Sequence, residues 1–496
     1  MAPGPSRHSL DPPSSALPRR RALHTAAQAA AVVASGYMLA ACARQTSAAS
    51  NAAAPTPKAN VINVPFQLWV PDVPVNKTSL ALIQQFFDQS FNAKNPGVNA
   101  TWGGSQGGES TVVTDILAGA SSTPWVVASC CGDWPIIQPF LARLDPLFKT
   151  SNVDAATTWG AGQLTPFQDT SGNTYGLPED AACDAYLYRQ DILDNLGLPY
   201  PSPNWTSAEA ASLWSTCAGK MSNGSWRYGV GAPFGPGATE GLPTVVAGFG
   251  GQFQSADRAR CLINSPQGIA AGEFWMNLVA DKVATAGDGT PPSQMWTGNC
   301  VFGTGAEPTI IDAVQNLGDK AKWDFLPWPR FPAKSVGKLH DNFYGMLSSA
   351  PNQEIAWNLL KFIAIDPEWQ RFYMQLALSP PALTSLLQEW YTIMRTTAPI
   401  LKTKSLEYWG NATLAGNGVY DYLFFAYDPA QANNIVTTWF DNAWNGTSTV
   451  TNAWNQMASQ INALEVQGKA AQGQSAAYAK TFPATGEAIA NVGVGI

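Results

Sequence analysis

The sequence predicts an α/β protein of two lobes, each a mainly parallel sheet flanked by helices, with hinge strands running between them. Three observations lead there. The chain has 496 residues, too many for one hydrophobic core. Strand-like and helix-like patterns alternate along it, as they do in a parallel sheet covered on both faces. The alternation occurs twice, on either side of residues 174–189, TYGLPEDAACDAYLYR. There a short strand ends at Pro178, two acids follow, and Tyr186 and Tyr188 resume an alternating strand. This stretch reads as the first crossover between the lobes.

The elements follow in order. Residues 61–70 (VINVPFQLWV) alternate and are rich in β-formers, which predicts the first strand. Leu80, Ile83, Phe86, Phe87 and Phe91 make a helical stripe over 78–91, stopped by Asn95-Pro96-Gly97. Strands are expected at 98–102 and 124–129, and helices at 109–117 and 134–141. After the crossover, 190–196 reads as a short helix, and Thr206 with Glu209 has capping-box spacing. Further helices are expected at 239–249, 267–279, 307–317, 352–365 and 367–378, and strands at 299–303, 322–326 and 342–347. The rest, to about 468, reads as helical and rich in Trp.

Charged residues make up 13% of the chain, against about 25% in a typical soluble domain. Such a surface relies on neutral polar groups, which suits an extracytoplasmic protein. The net charge of −7 argues against nucleic acid as a partner, since phosphate binding needs a basic face. The N-terminal 42 residues give an address. Arg19-Arg20-Arg21 precedes an uncharged stretch, 22–41, that ends Leu39-Ala40-Ala41-Cys42. This order reads as a secretory signal of twin-arginine type, 1–41. The L-A-A-C resembles a bacterial lipobox, which implies cleavage before Cys42 and lipid on its sulfur. Residues 42–60 are small and polar and read as a flexible tether. Six further cysteines, Cys130, Cys131, Cys183, Cys217, Cys261 and Cys300, favour disulfides in an exported chain, with the pairing open. Zinc is poorly supported, because no CxxC occurs and His340 is the only histidine beyond the signal. No metal or cofactor is expected.

Several pieces come in the order of one family. They are the lipoprotein-like signal; Ile83, Phe86, Asn95 and Pro96 around the first helix; PWVVAS at 124–129; YGLP at 175–178 with an aromatic strand ending Tyr188-Arg189; the PxxW-type helix start at Pro203; and Asn342-Phe343-Tyr344-Gly345 followed by AWNLLKFI. Over about 61–457 the chain resembles the extracellular solute-binding proteins of bacterial ABC importers (family 1), the group that includes maltose-type sugar receptors. Two departures stand out: cysteines precede Gly132-Asp133-Trp134, and 298–308 lacks the aromatic of close maltose-type relatives. The resemblance implies a type II periplasmic-binding-protein-like fold. It implies an N-terminal lobe of 61–178 plus about 328–366 and a C-terminal lobe of 179–327 plus about 367–470, with a loosely ordered tail, 471–496. It implies a substrate-binding lipoprotein that captures a small solute, most naturally a sugar or oligosaccharide, and delivers it by hinge closure. Its partners would be a membrane permease and a separate ATPase, since the chain has no GxxxxGK(S/T). It would be a monomer, lipid-anchored outside the cell membrane and periplasmic where an outer membrane exists. No enzymatic activity is expected.

Ligands of parallel sheets bind at the carboxyl ends of the strands. Sugars need aromatic faces for their C–H surfaces and carboxylates or amides for their hydroxyls. The candidates on both grounds are Trp69, Asp72, Trp102, Asp133, Trp134, Glu179, Asp180, Trp296, Glu307, Asn342 and Tyr344. Each has a plainer reading: Trp134 as helix core, Asp133 as an N-cap, Asp72 as a turn residue, and the crossover acids as a solvated hinge. Two enzyme readings compete. Gly103-Gly104-Ser105-Gln106-Gly107 matches G-x-S-x-G, which would make Ser105 a hydrolase nucleophile with His340 as base. It stands after the second strand, earlier than that fold requires, and no oxyanion motif accompanies it. A glycosidase carboxylate pair is the other, and an adhesion lipoprotein without a small ligand is a non-enzymatic third.

Overall fold

The computed structural model describes residues 61–67, 77–102, 124–129, 134–159, 163–169, 171–181, 183–237, 239–287, 292–339, 342–409, 418–420, 425 and 429–481. β1 (Ile62–Gln67) is followed by α1 (Lys77–Gln89), β2 (Val98–Trp102), β3 (Val126–Ser129), the one-turn α2 (Trp134–Ile137) and β4 (Gly176–Pro178). Next come β5 (Ala185–Arg189), α3 (Gln190–Leu196), α4 (Ser207–Cys217), β6 (Gly219–Lys220) and β7 (Trp226–Gly231). Then follow α5 (Leu242–Gly248), α6 (Pro266–Ala280), β8 (Ala284–Thr285), β9 (Cys300–Gly305), α7 (Pro308–Asn316) and β10 (Trp323–Leu326). The last third holds β11 (Gly337–Leu339), β12 (Phe343–Met346), α8 (Gln353–Ala364), α9 (Pro367–Ala377) and α10 (Leu387–Thr397). β13 (Gly418–Tyr420), α11 (Pro429–Trp444) and α12 (Val450–Thr481) complete it.

Two sheets organise these elements. The first has the order β2-β1-β3-β12-β4, and the second β10-β5-β9-β7-β6 with β8 beside β7. β1 runs parallel to β2 and β3, and β7 parallel to β8 and β9. β12 is antiparallel to β3 and β4, and β5 antiparallel to β9 and β10. Each sheet is therefore mixed. Strand-helix-strand units supply the parallel pairs, while β12 returns to the first sheet from beyond the second sheet's strands and β5 follows directly on β4.

The helical stripe on α1 buries as expected: Ile83 and Phe87 are fully buried and Phe91 nearly so, while Leu80 and Phe86 pack at the edge. Phe86 stacks on Phe372 of α9 with ring centroids 4.3 Å apart, so α9 packs with the first sheet together with α8. The second sheet is covered on both faces. One face packs Trp214, Trp275, Phe302 and Trp454; the other packs Leu187, Phe325, Trp390 and Trp409. The Trp-rich C-terminal region thus supplies core: Trp390, Trp409 and Trp454 are completely buried. Among the described residues, no helix is long and apolar enough to cross a membrane.

Local signals account for several boundaries. The Thr206–Glu209 capping box forms in both directions at the start of α4. β7 is a strand that the alternation of WRYGVG does not announce, because two glycines weaken its β-propensity. Gly229 is needed there. A Cβ at that position would lie 2.0 Å from the carbonyl oxygen of Trp214, so α4 lies directly on the strand. Cysteine pairing also departs from the expectation. Cys217, Cys261 and Cys300 are buried thiols, each packed as a small apolar side chain. Cys130 and Cys131 lie outside the described residues, as do the signal, the lipobox and the tether.

Substituting Gly229→Ala should lower stability by about 2–3 kcal/mol, as overpacking against rigid backbone does. Denaturant unfolding of the variant measures this. A loss under about 0.5 kcal/mol, the range of an ordinary surface change, would contradict the close contact.

Candidate functional site

Three segments cross between the sheets. The first joins β4 to β5, the second joins β10 to β12, and the third joins α9 to α10. They bind one another through their backbones. The Glu179 amide donates to the Asn342 carbonyl at 2.9 Å, Ala181 to Pro380 at 3.1 Å, and Asp184 to Lys338 at 3.1 Å. Isolated bridges link Asp180 with Pro381 and Cys183 with Leu339. The Gln163 side-chain amide donates to the Asp180 carbonyl at 3.3 Å.

Register places these crossings at the ligand-binding ends of both sheets. Phe343 pairs with Ser129 and with Pro178. Asn342 and Glu179 therefore lie at the edge where β1, β2 and β3 end. In the second sheet, Ala185 pairs with Gly305 and Tyr186 with Leu326, so β9 and β10 also end at the crossings. Carboxyl ends of strands from both sheets converge on one floor, the place where open α/β sheets hold ligands.

The floor is polar although it is deeply buried. Glu179 and Asp180 are 0% exposed and Asn342 is 7% exposed. The Asn342 amide donates to Asp180 Oδ1 at 3.4 Å. The Tyr344 hydroxyl accepts from Trp369 Nε1 at 3.2 Å; burial and the adjacent Glu179 carboxylate push its pKa well up. A second knot lies on the side of the second sheet. Lys338 Nζ is 3.5 Å from Asp184 Oδ2, and Thr304 Oγ1 donates to the same oxygen at 3.4 Å. The Tyr186 hydroxyl, fully buried, has no hydrogen-bond partner among the described residues. Burial first, then the charge of Asp184, pushes its pKa up. A floor of carboxylates, amide and hydroxyls shielded from water can donate to and accept from a neutral polyhydroxyl molecule.

The structure brings Glu179, Asp180, Asn342 and Tyr344 together. Glu307 lies two residues past the end of β9, 7% exposed, on the opposite side of the floor. Trp102 ends β2 and is 9% exposed; four strand spacings, roughly 19 Å, separate it from β4. Trp134 sits in a small core beneath the first sheet, its ring edge-on to Phe343 at 5.0 Å and Phe167 at 5.5 Å. Trp296 precedes the amino end of β9, at the end of the second sheet away from the crossings, and packs partly into the second lobe. Trp69, Asp72 and Asp133 lie outside the described residues, as do Ser105 and His340. Among the described residues, no cluster of His, Cys, Asp and Glu could hold a metal ion. Lys338, Thr304, Tyr186 and Gln163 are floor residues that the pattern reading does not select. A lone lysine between Gly337 and Leu339, in an otherwise apolar strand, is the one signal that points to any of them.

Burial pushes the Asp184 carboxyl up to about 6, although Lys338 and Thr304 pull it down. A carboxyl raised in the folded state stabilises the fold fully below its unfolded value, near pH 4. That contribution is lost as pH rises through about 6. The stability difference between wild type and Asp184→Asn should therefore fall between pH 4 and 7, by up to about 3 kcal/mol. Denaturant unfolding across this range measures it, and a flat or rising difference would contradict the assignment.

Comparison with known proteins places the chain. A family model described as bacterial extracellular solute-binding protein matches residues 75–368. No curated protein matches the sequence. Solved structures share the fold. The cyclic alpha-maltosyl-1,6-maltose binding protein from Arthrobacter globiformis superposes with a TM-score of 0.65 at 16% identity, over 82% of this chain and 100% of that one. An ABC substrate-binding protein from Listeria monocytogenes, in complex with cycloalternan, gives 0.62 at 18% identity, over 82% and 99%. The GacH receptor of Streptomyces glaucescens, solved unliganded and with acarbose, gives 0.60 at 15% identity, over 82% and 98%. With more than half of its length matched by the family model, and this two-sheet fold around three crossings, the chain belongs to the bacterial extracellular solute-binding proteins.

Proposed function

We propose that this protein is the substrate-binding component of an ABC importer and that its ligand is an oligosaccharide held between the lobes. The observation that carries the reading is the buried polar floor of Glu179, Asp180 and Asn342, formed where strand ends of both sheets meet. A neutral sugar can hydrogen-bond to such groups through its hydroxyls, and charge-assisted hydrogen bonds to carboxylates are strong. The breadth of the first sheet's edge, roughly 19 Å from β2 to β4, suits a chain of several sugar units. Structural neighbours solved with cycloalternan and acarbose, and one with the single sugar alpha-D-tagatose, support a carbohydrate ligand, and the breadth of the edge favours the oligosaccharide.

Ligand would meet the floor together with Glu307, Trp102 and the candidates Trp69, Asp72 and Asp133. The lobes would then close about the three crossings, and ligand would act by favouring the closed form. The closed form would be read by a membrane permease whose separate ATPase supplies the energy. Lipid on Cys42 would hold the receptor at the outer face of the cell membrane, with 42–60 as the tether. No bond of the ligand is made or broken in this scheme, so no catalytic residue is needed.

A thermal-shift panel of linear and cyclic maltooligosaccharides, other oligosaccharides, monosaccharides, peptides and polyamines tests the ligand class. A bound oligosaccharide at about 100 times its Kd should add about 2.7 kcal/mol of stability. Glu179→Gln should weaken that binding about tenfold, the loss of a charge-assisted hydrogen bond. Stabilisation by peptide or polyamine with none by any carbohydrate would overturn the sugar reading.

A further inference from the structure

We propose that Arg258 is an interlobe latch: a second-lobe side chain that grips the first lobe's backbone and biases the cleft towards closure. The proposal rests on the reading that the lobes close about the crossings. It concerns the protein's own contacts, not its ligand.

Arg258 Nη2 donates to the carbonyl oxygen of Gln168 at 3.0 Å. The two residues belong to different lobes. Arg258 lies at the tip of a turn closed by the bridge between Gln254 and Cys261. The base of that turn is anchored in the second lobe's core by Phe253 and Cys261. The Cys261 amide also donates to Asn462 Oδ1 of α12 at 2.7 Å. Gln168 lies in the first lobe. It bridges Thr174, and the Tyr175 amide next to that bridge donates to the Phe167 carbonyl at 3.0 Å. Phe167 is fully buried between Trp134 and Phe343.

Both ends of the contact are fixed. The Ser255 amide donates to the Arg260 carbonyl at 2.9 Å, and the Arg260 amide donates to Ser255 Oγ at 3.0 Å. Asp257 Oδ1 accepts from Ser255 Oγ at 2.5 Å and from the Ala259 amide at 3.3 Å. On the other side, Asp169 Oδ1 accepts from the amides of Ser171 and Asn173 at 2.8 and 2.9 Å. Hydrogen bonds on both sides hold the guanidinium and the carbonyl in place.

The backbone at Arg258 is itself unusual. Its φ of 59° is left-handed, a conformation that glycine or asparagine adopts easily and a long side chain does not. A residue kept in such a conformation is held by its surroundings, and this one carries the guanidinium that reaches the other lobe. A hydrogen bond from a charged donor at a partly buried site outside the crossings opposes separation of the lobes. Its loss should lower the closed-to-open ratio about tenfold.

Small-angle scattering of the ligand-free wild type, Arg258→Ala and Arg258→Gly tests the latch. Far-UV circular dichroism checks that each folds. Glycine keeps the test usable if alanine fails, because it accepts the left-handed backbone. Both folded variants should show a larger radius of gyration than wild type. Radii equal to wild type in the folded variants would overturn the latch. Maltotriose added to wild type in the same series separates the two readings. Contraction with maltotriose beside unexpanded variants sinks the latch and leaves the receptor reading. Expanded variants, beside a wild type that no carbohydrate of the thermal-shift panel stabilises, support the latch and sink the carbohydrate reading.

Discussion

The fold depends on the backbone hydrogen bonds that tie three crossing segments together. Glu179 to Asn342, Ala181 to Pro380 and Asp184 to Lys338 join stretches far apart in sequence into one narrow waist. Backbone groups buried there need partners, because an unpaired buried amide is costly. The segments supply them to each other, which fixes where each sheet ends. Because β12 and β5 enter their sheets from this waist, both sheets bring strand ends to the same place. The polar floor follows from that topology.

The composition divides along the same line. Apolar and aromatic residues build four separate packings among the described residues, two of them on either face of the second sheet. The low charge of the chain makes the buried charges at the waist conspicuous. Glu179, Asp180, Asp184 and Lys338 are all within a few per cent of full burial. Buried ionic groups stabilise a fold weakly, and replacing them with apolar residues is often tolerated. Their concentration at the meeting of two sheets therefore fits recognition better than it fits stability. Cys217, Cys261 and Cys300 lie elsewhere, within the second lobe's packing.

What was legible in the sequence was local. The α1 stripe, the α4 capping box, α3 and β2 follow from spacing and caps that neighbours along the chain decide. The crossover at 174–189 was legible because Pro178 and two acids interrupt an alternating pattern. β7 was not, since Gly229 and Gly231 are chosen for the close approach of α4 and of Pro292, not for strand propensity. β11 was hidden in a proline- and lysine-rich connection, for its ladder partner is the distant β13. At the site, the acids of the first crossing and Asn342 could be singled out from chemistry alone. Lys338, Thr304 and Tyr186 could not, because only the pairing of β5 with β9 and the bridge to Leu339 assemble them. Trp134 shows the converse. Its position beside Asp133 invites a ligand, yet its ring packs on Phe343 and under Gly176, where a Cβ would lie 2.9 Å from it.

Hydrogen–deuterium exchange with and without a stabilising oligosaccharide tests the central claim that ligand is held on the waist joining the lobes. The account expects slowed exchange at the amides of Glu179, Ala181 and Asp184 and at the carboxyl ends of strands in both sheets. Protection confined to one lobe, with the three crossings unchanged, would contradict it.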